Sequence, residues 1–146
     1  MWSVGERVLL TLWIGSLWTT GYLVAPVLFN VLERSVAGTV AGQLFTLVSY
    51  LGLLVIGILL VVAWIQQGCA TWGSWRNRIL LLMLVLVVVG QFVLQPMMAE
   101  LKAAGLQADQ TGQFARLHGL ASILYLLNSI LGLVLVSWDA RRQTAN

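Results

Sequence analysis

Hydrophobic and polar positions along the chain are segregated into long blocks. Four apolar stretches lie at roughly 8–29, 44–65, 79–98 and 117–138, and the intervals around them hold all of the charged residues. A helix needs about 20 apolar residues to cross a bilayer. The pattern therefore predicts four membrane-spanning helices.

Local signals at the ends of these stretches refine the predicted helices. Ser3 and Glu6 have the spacing of a capping box, Ser74 is suited to cap the third helix, and Gly105 is placed to end it. We predict helices over residues 3–32, 37–66, 75–104 and 110–138. The predicted fold class is all-α: a polytopic membrane protein, with one transmembrane domain over 1–146 built as a four-helix bundle of two helical hairpins.

Composition supports this class. Of the 146 residues, 60% are hydrophobic and only 9% are charged, whereas a soluble domain carries about 25% charge. The lipid bilayer is therefore the first predicted partner. In such a protein the net charge of +3 reports orientation, and it gives no reason to expect nucleic-acid binding.

Basic residues are more frequent on the side that would hold both termini and the 66–78 loop. That side has Arg7, Arg76, Arg78, Arg141 and Arg142, against Arg34, Lys102 and Arg116 on the other. Positively charged loops stay in the cytoplasm, so we predict a multi-pass protein of a bacterial-type inner membrane with cytoplasmic N- and C-termini. The first apolar stretch is too long for a signal peptide and is predicted to be a retained helix.

The two halves of the chain show a weak internal likeness. The segments GYLVAP (21–26) and GQFVLQP (90–96) both end in a proline near the outer end of the first helix of a hairpin. Each proline removes one backbone hydrogen bond, which would free the carbonyl of Tyr22 or Phe92. A parallel repeat about an axis normal to the membrane would give this pattern.

Polar side chains share one face and one depth in the predicted helices. The set lies in the outer halves and comprises Tyr22, Tyr50, Gln91, Gln95, His118, Ser122 and Tyr125. Facing lipid, such groups would each cost several kcal/mol. We therefore predict an outward-facing intramembrane pocket that binds a small ligand, possesses an apolar floor and contributes to transport or tolerance.

His118 is the only histidine, and two sulfur-bearing residues, Met97 and Met98, lie at the outer end of the third helix. Imidazole and thioether donors suit copper(I) or another soft metal ion. The alternative for His118 is a hydrogen-bonded structural role. One histidine cannot supply bis-histidine haem ligation within one chain, and the single Cys69 cannot form an intramolecular disulfide.

A second function remains open from the same residues. Polar side chains can serve as hydrogen-bonding links between membrane helices, and small residues allow close helix approach. The faces at Gly38 and Gly42, and at Gly119, Ser122 and Gly132, would then pack against a partner protein or another copy. An enzyme is disfavoured, because the spans contain neither a Ser–His–Asp set nor paired carboxylates.

Three segments carry a family resemblance: AGQLF (41–45), LQPMMAELK (94–102) and above all FARLHGLASILYLLN (114–128). They resemble the small bacterial membrane proteins of the domain of unknown function 4149 family, which are similar to eukaryotic transmembrane protein 205. The most specific positions are Pro96, Phe114, Arg116, His118, Gly119, Ser122 and Asn128.

The resemblance implies a four-helix polytopic protein without an assigned activity. For the eukaryotic relative it also implies an association with platinum-drug resistance. More remotely, the pair of hairpins looks like the four-helix unit of copper-resistance D-type membrane proteins. With a single histidine, this chain does not match a haem site or a multi-histidine copper site of that family.

Overall fold

Four long helical spans make up the protein. The computed structural model describes residues 3–103 and 108–144, and these residues contain no strand. The first span is Val4–Val31, the second Arg34–Gln67, the third Trp75–Ala103 and the fourth Ala108–Thr144. Each is long and apolar enough to cross a bilayer, which confirms the all-α, four-helix membrane class.

The predicted helix ends agree closely with these bounds, with two differences. The second span begins three residues earlier than predicted, at Arg34, because the Glu33 carbonyl already accepts a bond from the Ala37 amide at 2.8 Å. The fourth continues to Thr144, since the polar residues after the apolar stretch extend the same helix. Gly105, predicted to end the third helix, lies outside the described residues.

Both predicted caps are present. The Ser3 hydroxyl accepts from the Glu6 amide at 3.3 Å, and the Glu6 carboxylate accepts from the Ser3 amide at 2.6 Å, as in a capping box. The Ser74 hydroxyl accepts from the Asn77 amide at 3.2 Å. Local sequence therefore sets the starts of the first and third spans.

The spans pack in chain order, and the fourth also packs against the first. We call the end of the bundle that holds Ser3, Trp64, Trp75 and Trp138 the proximal end, and the opposite end the distal end. The main core is apolar and lies largely in the proximal half. It consists of Leu10, Trp13, Ile14, Leu17, Val55, Ile56, Leu59, Leu80, Met83, Val87 and Leu135.

Each proline follows a π-helical turn. Thr19–Val24 precedes Pro26 in the first span, and Gly90–Leu94 precedes Pro96 in the third. In both, the residue before the proline donates its amide five residues back: Ala25 to the Thr20 carbonyl and Gln95 to the Gly90 carbonyl. The two hairpins share this feature, in agreement with the internal likeness of the sequence.

Candidate functional site

A buried polar network ties the proximal ends of three spans together. Glu6 of the first span is only 5% exposed, and its carboxylate lies 3.6 Å from the Arg76 guanidinium of the third. The side-chain amide of Asn77 donates from Nδ2 to the Thr71 carbonyl at 3.0 Å, and the Thr71 hydroxyl donates to the Ala63 carbonyl of the second span at 3.0 Å. The sequence analysis missed this network; its one sequence signal was the pair of caps beside it.

Four aromatic rings cluster in the distal half of the bundle, between the first, second and fourth spans. Tyr22 lies 4.8 Å from Trp18 and 6.3 Å from Tyr125, measured between ring centroids, and Phe45 lies 5.0 Å from Tyr125. The Tyr125 hydroxyl donates to the Leu17 carbonyl at 2.5 Å. Two of the predicted site residues, Tyr22 and Tyr125, are thus brought together, and Tyr22 keeps 44% of its surface exposed.

The other predicted residues of the second and third spans lie elsewhere. Tyr50 is 52% exposed and its ring packs edge-on against Phe92, with centroids 6.4 Å apart. The half-buried Gln95 faces the second span, where its Nε2 lies 3.8 Å from the position a Cβ would take at Gly42. Gln91 is also half-buried. Gln95 therefore faces the gap between these two spans.

His118 and Ser122 lie on the exposed surface of the fourth span. The Ser122 hydroxyl donates to the His118 carbonyl at 2.9 Å, and the imidazole stacks parallel to Phe114 at 6.1 Å. Met97 is 41% exposed and Met98 half-buried on the third span. Among the described residues, no group of three or more His, Cys, Asp or Glu side chains comes together.

A groove of about 500 Å³ runs between the first and second spans. None of the predicted site residues lines it. It is lined by Thr11, Leu12, Gly15, Ser16, Thr19, Thr20, Leu47, Val48 and Leu51. The four hydroxyl-bearing residues and the glycine all come from the first span.

Helix lengths relate the polar residues to the depth of a bilayer. Trp64 and Trp138 are more than 40% exposed, and Trp75 packs edge-on against Trp138 at 5.0 Å, as expected of a belt at one membrane interface. In each span the other interface should lie about 30 Å, or about 20 residues, further along the helix. Counted from Trp75 and Trp138, that level is reached at Gln95 and His118.

The same count applies to the first hairpin. Glu6 lies at the level of Arg76, because the two form an ion pair. A helix length of about 30 Å reaches Pro26 when counted from Glu6, and it reaches Leu44 when counted from Trp64. We call the level of Pro26, Leu44, Gln95 and His118 the distal plane. If the hydrocarbon layer follows this count, the exposed imidazole of His118 is at headgroup depth and reaches water. The helical segments beyond the distal plane would then extend past the hydrocarbon layer.

Beyond the distal plane the two hairpins differ in character. The first hairpin has a tip of exposed large apolar side chains, which are 38–75% exposed: Val27, Phe29, Val31, Leu32 and Val36. We call these five residues the apolar tip. The described distal residues of the second hairpin are mainly polar or small where exposed, including Glu100, Lys102, Gln113 and Arg116.

The small-residue faces predicted to meet a partner are mostly used within the chain. A Cβ at Gly132 would overlap the Ile14 side chain, and Gly42 and Gly38 face Gln95 and Lys102 of the third span. Gly119 is different, since a Cβ there would meet no atom within 4 Å. Of these glycines, Gly119 alone leaves a free face.

Comparison with known proteins identifies the family. The family described as domain of unknown function (DUF4149) matches residues 8–107. This range covers the first three spans and ends before the 114–128 segment, on which the resemblance had rested most. No curated protein and no solved structure matches the chain, so the similarity to eukaryotic transmembrane protein 205 stays a prediction. Because the matched range covers more than half of the sequence, the protein belongs to the DUF4149 family.

Proposed function

We propose that this protein is an accessory membrane subunit that binds another membrane protein through the apolar tip of its first hairpin. The observation that carries the proposal is the exposure of Val27, Phe29, Val31, Leu32 and Val36 beyond the distal plane. Contiguous apolar surface outside the hydrocarbon layer is costly in water and commonly marks an interaction site.

Contact with lipid headgroups explains this exposed apolar surface less well than contact with a partner protein does. Both hairpins pass the distal plane at a proline that follows a π-helical turn, so their distal ends experience the same environment. Among the residues that the structure describes, exposed large apolar side chains cluster there only on the first hairpin. A partner that covers the first hairpin and leaves the second in water accounts for the difference.

The residues around the apolar tip suggest the chemistry of the partner surface. Glu33 and Arg34 are exposed in and just after the connection between the first two spans. An apolar centre with a charged rim is the usual anatomy of a protein interface. The partner surface should therefore be apolar, with polar groups at its edge, and should lie just outside the hydrocarbon layer.

Site-specific photo-crosslinking in native membranes tests this function. A photoreactive amino acid at Phe29 or Val31 should give a discrete protein adduct. The same amino acid at Met97, which is also exposed but lies on the second hairpin, should not give that adduct. Adducts with lipid alone at positions 29 and 31 would contradict the proposal.

Serine substitutions in the apolar tip test the same contact through loss of the cross-linked adduct. Val31→Ser and Phe29→Ser should abolish the adduct formed from position 36 without lowering the melting temperature, because both side chains are about half-exposed or more. Met97→Ser is the control and should leave the adduct unchanged. Retention of the adduct in the double variant Phe29→Ser/Val31→Ser would exclude the apolar tip as the contact.

We propose ligand or metal binding by the distal polar residues as the second candidate function. Its support is the position of Gln95 between the second and third spans, together with the water-accessible imidazole of His118. Copper(I) should then stabilise the purified protein against thermal unfolding, and His118→Ala should remove that stabilisation, with Gln113→Ala as an exposed control. Equal melting with and without copper(I) in the unaltered protein would count against a metal site.

We also propose that both termini lie in the cytoplasm of a cell whose inner membrane holds the protein, on the basis of the basic residues at the proximal end. Cys69, in the connection between the second and third spans, should then resist a membrane-impermeant maleimide applied from outside. Rapid labelling of Cys69 in intact cells with a sealed inner membrane would reverse the orientation.

A further inference from the structure

The groove between the first and second spans opens toward the surrounding lipid. Thr11, Gly15, Thr19 and Leu47, which line it, are all exposed. Its volume of about 500 Å³ lies within the range of small-molecule sites, which are mainly apolar with a few placed polar groups. The polar groups here are the hydroxyls of the first span.

One of these hydroxyls belongs to a largely buried residue. The Ser16 hydroxyl donates to the Leu12 carbonyl at 2.8 Å, which is the usual arrangement for a hydroxyl on a membrane helix. Thr20 also lines the groove and is only 9% exposed, yet its hydroxyl makes no hydrogen bond with any described residue. A hydroxyl that lacks a partner in hydrocarbon surroundings is costly, and the groove that Thr20 lines is where a partner could sit.

The backbone at Thr20 is also irregular. Thr20 lies in the π-helical turn Thr19–Val24, and its carbonyl accepts the amide of Ala25. Turns of this kind inside α-helices occur frequently at functional sites. The unpaired hydroxyl and the irregular turn thus lie at the same end of the groove.

Depth determines the class of ligand. Thr20 is fourteen residues beyond Glu6, which is about 21 Å of helix, so it lies well within a hydrocarbon layer of about 30 Å. No charged side chain lines the groove. The charged headgroup of a phospholipid would not reach this depth, so the ligand must be uncharged.

The length of the groove suits a chain-like ligand. The groove spans residues 11–20 of the first span, which is about 13 Å along the helix axis. An extended lipid-like chain that enters from the surrounding bilayer can lie along this length.

We propose that the groove between the first and second spans binds an uncharged long-chain lipid whose oxygen atom, a carbonyl or a hydroxyl, accepts a hydrogen bond from Thr20. The ligand enters sideways from the bilayer, and its chain lies along Gly15 and Leu47. This binding is independent of the apolar tip and of the distal polar residues.

Photolabelling of the full-length protein in phosphatidylcholine nanodiscs tests the proposal. The probes are a sixteen-carbon ketone and a sixteen-carbon alkane, each with the same diazirine group. We expect the ketone to label the segments around residues 11–20 and 47–51 roughly fivefold more than the alkane does, as one hydrogen bond would give. Thr20→Val, which keeps the side-chain shape, should remove the difference between the probes.

Filling the groove gives a second, separate readout. A Cβ at Gly15 would meet no atom within 4 Å, so Gly15→Leu should fold and should exclude both probes from the groove. Gly57→Leu is the matched control, because Gly57 is equally free of neighbours but lies outside the groove. Equal labelling by ketone and alkane in the unaltered protein would mean ordinary lipid contact only and would overturn the proposal. Cross-linking of the groove to a second polypeptide would overturn it as well.

Discussion

At the scale of single residues, glycines determine how closely the spans approach. A Cβ added at Gly52 would overlap the indole of Trp13, and one added at Gly132 would overlap Ile14. Trp13 is fully buried, so it has no space into which it could move. The sequence showed these glycines and this tryptophan but not which of them meet, because that depends on the rotation of each helix about its own axis.

The contact at Gly52 leads to a stability prediction. Gly52→Ala should lower the free energy of unfolding by about 1–3 kcal/mol, the usual cost of overpacking a tight core. Gly57→Ala, on the same span but free of close neighbours, should have a much smaller effect. Unfolding in a mixed-micelle denaturant series measures both, and equal stabilities would show that the Trp13 contact is not tight.

Two buried asparagines should respond in opposite ways to the same substitution. The Asn77 side chain donates to the Thr71 carbonyl, so Asn77→Leu should destabilise the protein by about 1–3 kcal/mol. The Asn128 side chain is 5% exposed and makes no hydrogen bond with any described residue. Asn128→Leu should therefore leave the melting temperature unchanged or raise it. A large loss of stability in Asn128→Leu would contradict this structure of the core.

At the scale of elements, the prolines show both the reach and the limit of local reasoning. The missing amide of Pro26 and Pro96 predicts a disturbed hydrogen-bond pattern at those positions. The pattern found is a π-helical turn ahead of each proline, which the missing amide alone does not specify. Span limits were predictable because composition alone decides which residues can lie in lipid.

Relaxing the third-span turn should rotate the distal part of that span. Pro96→Ala restores an amide and favours a regular α-helix, which would turn Gln95 away from Gly42. With Cys69→Ser as background, cysteines at 42 and 95 should be bridged by a short bis-maleimide in the otherwise unaltered chain and far less in Pro96→Ala. Pro26→Ala is the matched control and should bridge normally. Equal bridging in Pro96→Ala would show that proline does not maintain the turn.

At the scale of the whole molecule, the polar residues that a helical projection assigned to one site lie in several different places. The projection assigned a common outer level to seven residues, and Tyr22 and Tyr125 do meet. The projection does not give the direction in which each helix face points around the bundle. It therefore did not predict that Tyr50, His118 and Ser122 lie on exposed surface. The groove was missed because threonine and glycine have little polarity to distinguish them from lipid-facing residues.

The account depends on where the bilayer ends along the four helices. If the hydrocarbon layer ends at the distal plane, the apolar tip lies outside it and the groove lies within it. Nitroxide labels on single cysteines, in the Cys69→Ser background and in nanodiscs, report this depth through their relative exposure to oxygen and to a water-soluble nickel complex.

The decisive comparison uses labels at positions 15, 118 and 31. We expect the label at 15 to be exposed mainly to oxygen, the label at 118 to show comparable exposure to both reagents, and the label at 31 to be exposed mainly to nickel. A label at position 31 that is shielded from nickel as completely as the label at position 15 would show that the apolar tip is immersed in lipid, and it would contradict the central claim.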